Sequence, residues 1–139
     1  MPRRFLVALL ILPLAASLAV SAEPDATIPP IKEVTGATPK ENAFKDAGRT
    51  KPIVLSSKED AAKYFAEKDL AALAKQVDFK NQIVLVFAWR GSGGDRLNST
   101  VAESFPEQIT FTLKYGRTRD LRSHTHVYAL RSNVKWSVE

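Results

Sequence analysis

The chain contains no cysteine, and this absence excludes several classes of protein at once. A disulfide-stapled domain, a cysteine nucleophile, a thiolate metal centre and a lipid-modified cysteine are all ruled out. The folded part of the chain must therefore be stabilised by noncovalent packing. Its 139 residues suffice for one domain with its own hydrophobic core.

The sequence also lacks phosphate-binding motifs and any strong excess of positive charge. Its glycine cluster, Gly91-Ser92-Gly93-Gly94, fits neither the P-loop pattern nor the dinucleotide-binding fingerprint. Removing residues 1–22 takes away two arginines and no acid, so the net charge falls from +5 to +3. A nucleic-acid binder normally has a larger basic excess or a recognisable motif. We therefore expect no cofactor and no nucleic-acid partner.

A long apolar run stands at the N-terminus. Residues 5–20 are almost entirely apolar, follow Arg3-Arg4 and lead into Val20-Ser21-Ala22. This pattern predicts a signal peptide over residues 1–22 and an exported protein, periplasmic or secreted, that has no membrane contact after cleavage. A membrane anchor is the alternative, but sixteen residues are fewer than the roughly 20 needed to cross a bilayer.

Residues 23–50 are predicted to be a flexible, proline-rich arm or linker. They contain four prolines, scattered charge and almost no apolar periodicity. The alternative is local docking of a few apolar side chains, namely Ile28, Ile31, Val34 and Phe44. A single domain is expected over residues 51–139.

One amphipathic helix is predicted over residues 58–76. Ser56 and Ser57 each precede an acid by three positions, which is typical of a helix N-terminus. Apolar residues then recur at intervals of three and four as far as Val77, while the lysines lie on the opposite face. A sheet is expected to cover the apolar face, and binding to a membrane or partner helix is the alternative.

The strongest strand signal is residues 83–89, which are apolar on both alternating faces, as in a central strand covered on both sides. Further strands are predicted at residues 53–55, 98–102 and 109–115, followed by a final pair, 127–131 and 134–138, joined by Ser132-Asn133. The predicted fold class is α+β: a mainly antiparallel sheet of four to five strands covered by one amphipathic helix.

The glycine cluster follows the predicted central strand and leads into Asp95-Arg96. Its backbone N–H groups could bind an anion. The interpretation we favour is a wide turn or bulge between strands, because glycine in strand patterns commonly marks such geometry.

Residues 115–131 hold the two histidines of the chain and four arginines. If residues 122–130 are extended, His124, His126 and Tyr128 share one face. Two histidines on a strand could supply zinc ligands, with Asp95, Asp120 or Glu103 as a third. Ordinary hydrogen-bonding side chains on a half-buried face are the favoured interpretation.

Three arginines of this segment, Arg117, Arg119 and Arg122, flank Asp120. Their guanidinium groups could bind a carboxylate or phosphate through paired donors. The interpretation we favour is internal: Asp120 binds loop N–H groups, and one arginine pairs with it or with Asp95 across the loops. Exposed ion pairs contribute only about 0–1 kcal/mol, so stability alone does not account for so many arginines.

The order of elements resembles a known family. A helix is followed by Val77-Asp78-Phe79-Lys80-Asn81-Gln82, the apolar strand 83–89, a glycine-rich loop, two further strands and a last strand at residues 127–130. Over residues 53–138 this resembles the PrcB-like domain family, named after a subunit of a bacterial surface protease complex. The resemblance implies a small extracytoplasmic α+β module that binds or stabilises a protein partner, with no catalytic residues to carry over.

Two classes of function follow from the sequence. The preferred one is an exported, non-catalytic module that binds another protein or an anionic ligand. The alternative is a metal-assisted or acid–base hydrolase that uses His124 and His126 with Asp120 or Asp95. The candidate binding residues are Arg90, Asp95, Arg96, Arg117, Arg119, Asp120, Arg122, His124 and His126.

Overall fold

The computed structural model describes residues 27–139, so the predicted signal peptide at residues 1–22 lies outside the described part. The described chain forms three layers: short helices, a four-stranded sheet and a three-stranded sheet. This arrangement confirms the predicted α+β class. Within residues 27–139, no helix is long and apolar enough to cross a membrane.

The four-stranded sheet has the order β1-β6-β3-β2 and is antiparallel throughout. The three-stranded sheet has the order β4-β5-β7, and its β5–β7 pair is parallel. The strands are β1 (Ile31–Glu33), β2 (Ile53–Leu55), β3 (Gln82–Gly91), β4 (Arg96–Ala102), β5 (Gln108–Lys114), β6 (Arg122–Arg131) and β7 (Lys135–Val138), and the helices are α1 (Ala43–Asp46), α2 (Lys58–Ala62) and α3 (Glu67–Ala74).

Strand β3 lies at the centre of the molecule and contributes to both hydrophobic cores. Its even-numbered residues, such as Val84 and Val86, pack with the helices. Its odd-numbered residues, Leu85, Phe87 and Trp89, pack against the three-stranded sheet. Because successive side chains point to opposite faces, an uninterrupted apolar strand can supply both cores. The prediction of a central strand covered on both sides is confirmed.

The prediction of one helix over residues 58–76 is wrong, because helices α2 and α3 are separate. Between them Phe65 is buried and forms an isolated bridge with Pro39, while Tyr64 O accepts a hydrogen bond of 2.6 Å from Lys40 N. Helix α2 ends at this contact with a distant segment, although Phe65 N still donates to Ala61 O at 3.0 Å. The predicted N-terminus is confirmed at Ser57, whose Oγ accepts from Asp60 N at 3.1 Å.

The prediction of a flexible arm is wrong for residues 31–47. Strand β1 pairs with β6, and beyond it Val34, Ala37 and Ala43 are buried in the helix-side core. Phe44 packs against the same core, as the local-docking alternative anticipated. These apolar residues lie in short, irregular pieces, so they produce no periodic pattern that could have marked them as ordered.

The predicted final pair of strands is also wrong. Strand β7 does not pair with β6 but runs parallel to β5 in the other sheet, with Ile109 opposite Trp136. Trp136 and Val138 pack against the core between the sheets. The buried Arg131, at the end of β6, forms an ion pair with the half-buried Glu107, which directly precedes β5. Burial of these apolar side chains between the sheets outweighs formation of a simple hairpin.

The core assignment predicts a large difference between two identical substitutions. Leu85 is fully buried, whereas Leu121 is 74% exposed. We expect Leu85→Ala to lower the free energy of unfolding by about 2–5 kcal/mol through lost burial and a residual cavity, and Leu121→Ala to change it by less than about 0.5 kcal/mol. Urea unfolding followed by tryptophan fluorescence measures both, and equal effects would show that β3 is misplaced.

Candidate functional site

Two loops, residues 92–95 and 115–121, meet beyond the end of β3. With the adjoining strand ends they form what we call the loop rim, residues 90–96 and 117–126. The first loop contains a tight turn in which Asp95 N donates to Ser92 O at 3.0 Å. The second loop approaches so closely that a Cβ at Gly116 would collide with the backbone of Gly94. Glycine at position 116 is therefore required by the packing of the two loops.

The backbone donors of the glycine turn bind the protein's own side chains. Gly93 N donates to Asp120 Oδ1 at 3.0 Å, and Gly94 N donates to the hydroxyls of Ser92 and Thr118 at 3.2 and 3.3 Å. Hydrogen bonds from Thr118, then from Arg122 and Gly93, hold the pKa of the Asp120 carboxyl well below its ordinary value. The turn thus binds an internal carboxylate. It is a turn between strands β3 and β4, as the favoured interpretation states.

Asp95 is 2% exposed and joins both loops to the central strand. Its Oδ2 accepts from the Trp89 indole at 3.0 Å, and its Oδ1 accepts from Gly116 N at 2.8 Å. The Gly116 bond is the largest cause that lowers the pKa of this carboxyl, and the bond from Trp89 and the nearby Arg49 act in the same direction. Asp95 is therefore an ionised, buried anchor rather than a group open to a ligand.

The two histidines lie on one face of β6, as strand periodicity predicts. Across the β3–β6 pair His124 is opposite Trp89 and stacks on it, with ring centroids 4.9 Å apart. His126 follows in the same row at 5.6 Å from Trp89, and Tyr128 continues it. His124 also donates through Nε2 to Ser92 O at 2.7 Å. Both imidazoles thus pack as half-buried members of an aromatic row.

The candidate zinc ligands do not come together. No group of three or more metal-ligating side chains that could hold an ion occurs within residues 27–139. Asp95 and Asp120 are each bound to backbone N–H groups, and neither accepts a hydrogen bond from a histidine in this part of the chain. Glu103 follows β4 at the end remote from the loop rim. Within residues 27–139 the arrangement offers two histidines without a third ligand, and the acid beside them is Glu33, 3.8 Å from His126 Nδ1.

The arginines of the loop rim fall into two groups. Three are used internally: Arg90 pairs with Glu41, Arg96 donates to the Gly93 and Asp95 carbonyls, and Arg122 donates to Asp120 at 2.9 Å. The other two, Arg117 and Arg119, are exposed and make no hydrogen bond or ion pair within the described residues. Of the loop-rim arginines, only this second pair has no internal partner within the described residues.

Sequence reasoning missed Arg49, which lies in the segment predicted to be a flexible arm. Its guanidinium is 5.6 Å from the centre of the Tyr115 ring, donates to Arg90 O at 3.3 Å and lies 3.8 Å from Asp95 Oδ2. No local pattern marks this residue, because its contacts are all with residues more than forty positions away.

Comparison with known proteins adds no relative. The chain matches no protein-family model, no curated protein and no solved structure at a significant level. The resemblance to the PrcB-like family therefore stays a prediction.

The half-buried position of His126 predicts a pH dependence of stability. Burial lowers its pKa below the ordinary 6.5, with a smaller opposing effect from Glu33. The unfolded chain then binds the proton more tightly, so the contribution of this residue is present above pH 6.5 and is lost as the pH falls through the lower folded-state value.

We therefore expect wild-type protein to lose more unfolding free energy than His126→Gln between about pH 7 and about pH 5, the range in which histidine titrates. Urea unfolding at several pH values measures the difference. Parallel pH profiles for the two proteins would contradict the lowered pKa of the half-buried His126.

Proposed function

We propose that this chain is an exported, non-catalytic binding module whose loop rim contacts an anionic region of a protein partner. The observation that carries the proposal is the pair of exposed, unpaired arginines, Arg117 and Arg119, on a loop that is fixed at both ends. Arginine is suited to this contact because its planar donors match a carboxylate or phosphate in pairs.

The loop carries these arginines in a defined position. Gly116 N binds the buried Asp95, and Asp120 binds Gly93 N, so residues 116 and 120 are both attached to the first loop. Ordering a flexible loop on binding costs free energy, and a loop that is already ordered avoids most of that cost. Fixed ends therefore favour recognition by Arg117 and Arg119.

Apolar side chains lie on either side of the two arginines. Tyr115 is 66% exposed and Leu121 is 74% exposed. Interfaces commonly combine tyrosine and arginine at their centre, where burial of the ring and pairing of the charge reinforce each other. This combination favours a protein surface as the partner.

The hydrolase alternative has weaker support. His124 uses Nε2 on a backbone carbonyl, and His126 lies 3.8 Å from Glu33, an exposed residue outside the loop rim. An acid–base pair needs a histidine within hydrogen-bonding reach of its carboxylate. Asp95 and Asp120 instead hold the two loops together, which is a structural use.

Export and partner stabilisation belong to the same proposal. The apolar N-terminal run favours export, and the α+β arrangement of the described residues agrees with what a PrcB-like module would have. As the resemblance to that family implies, the module would bind a protein partner in the periplasm or outside the cell and stabilise it.

The proposal predicts binding that depends on two named arginines and on salt. Partners captured on immobilised mature protein would be identified, purified and titrated against wild type and Arg117→Ala/Arg119→Ala. We expect the double variant to bind about five- to thirtyfold more weakly, because two exposed charge contacts of about 0.5–1 kcal/mol each are lost. Affinity should also fall as salt rises.

The matched control is Lys58→Ala/Lys68→Ala, which removes the same charge from exposed helix positions. This variant should bind like wild type. Equal affinity of wild type and the arginine variant, or an equal loss in the lysine variant, would contradict a contact through the loop rim.

A further inference from the structure

A groove of about 420 Å³ lies beside the loop rim, between the α1–β2 connection and the end of β3. Phe44 and Arg49 line one side, Arg90 lies at the end of β3, and Tyr115 lines the other side. The two charged side chains that line it are both arginines, and no acid is among the lining residues. The charged side chains that line the groove are thus guanidinium groups, and each has one carboxylate near it, Asp95 beside Arg49 and Glu41 beside Arg90.

Each of its guanidinium groups lies over an aromatic ring. Arg90 lies 4.6 Å from the centre of the Phe44 ring, and Arg49 lies 5.6 Å from the centre of the Tyr115 ring. Stacking of this kind holds the plane of a guanidinium while leaving its N–H edges free to donate. The donors of both arginines are thus held in a fixed orientation at the groove.

Arg49 has hydrogen-bonding capacity that the protein does not use. Its Nη2 donates to Arg90 O at 3.3 Å, whereas its Nε is buried, makes no hydrogen bond and lies 3.8 Å from Asp95 Oδ2. The side chain as a whole is 41% exposed. A guanidinium with five donors and one hydrogen bond can accept a further anionic ligand.

Arg90 already binds a carboxylate at the groove. Its partner is Glu41, whose side chain is 72% exposed and is held by no other hydrogen bond in the described residues. An exposed ion pair of this kind contributes little free energy and exchanges readily. Glu41 therefore indicates both which chemical group fits Arg90 and how a ligand could take its place.

We propose that this groove is a binding site for a carboxylate ligand, which bridges Arg49 and Arg90 and displaces Glu41. The carboxylate can come from an acidic side chain of a peptide or from a free small polycarboxylate. The site is separate from Arg117 and Arg119, so it does not depend on the partner contact proposed above.

The test is a titration of ¹⁵N-labelled mature protein with two probes, acetylated hexaglutamate and citrate. We expect at least one probe to give saturable shifts of the backbone amide signals of Arg49, Thr50, Trp89 and Arg90. Saturation by hexaglutamate alone identifies a peptide source, and saturation by citrate alone identifies a small-molecule source. Either result supports a carboxylate site, whereas shifts from neither probe contradict it.

Variants separate a binding role from a structural one. Arg49→Ala should weaken binding about tenfold, as expected for loss of a charge-assisted hydrogen bond, and Lys51→Ala, an exposed neighbour, should bind like wild type. Glu41→Gln should bind about two- to tenfold more tightly, because the competing charge is gone. A merely structural Glu41–Arg90 pair would give no gain.

The outcome also distinguishes this site from the contact proposed for Arg117 and Arg119. Arg117→Ala/Arg119→Ala should leave the groove titration unchanged, because those side chains do not line the groove. Unchanged affinity in both Arg49→Ala and Glu41→Gln would overturn the inference. So would tighter binding of inorganic phosphate than of either carboxylate probe.

Discussion

The buried carboxylate of Asp95 is the interaction on which the geometry of the candidate site depends. It accepts one hydrogen bond from the indole of Trp89, which belongs to the central strand, and one from the backbone of Gly116, which begins the second loop. Burying an ionised carboxylate is costly unless such bonds satisfy it. The two bonds therefore select one arrangement of strand and loops. Asp120 repeats the arrangement at the surface by joining Gly93 to Arg122.

The charged residues of the site therefore fall into two groups, those bound internally and those available for contact with a partner. Acids near the loop rim are bound to backbone N–H groups, and the nearby arginines Arg90, Arg96 and Arg122 are held by internal acceptors. Arg117 and Arg119 have no such acceptor within the described residues, and they lie on a loop whose ends are fixed. A segment that is rich in arginine thus combines a structural part with a part available for contact. The histidines belong to the structural part, since they stack with Trp89 over the core between the sheets.

Much of the fold follows from local sequence patterns, and the predictions that proved wrong share one physical cause. The double-sided apolar pattern of β3 and the period of two in β6 correctly place Phe87 and His124. The break between α2 and α3 coincides with the pairing of Phe65 with Pro39, and the parallel β5–β7 pair brings the half-buried Trp136 against the core between the sheets. Such long-range contacts leave no local periodicity. The sequence predicts that residues 90–96 and 117–126 carry the site, but not which arginines are free, nor that Arg49 joins them.

Asp95 fixes the second loop to the core, and amide hydrogen exchange at Gly116 tests this anchoring most directly. If Gly116 N donates to a buried carboxylate, its proton should exchange as slowly as protons of the central strand, because release requires opening of the core. In Asp95→Ala the protection at Gly116 should be lost while protection within β3 persists. Rapid exchange of the Gly116 proton in wild-type protein, at the rate of an unprotected amide, would contradict the anchoring of the second loop by Asp95.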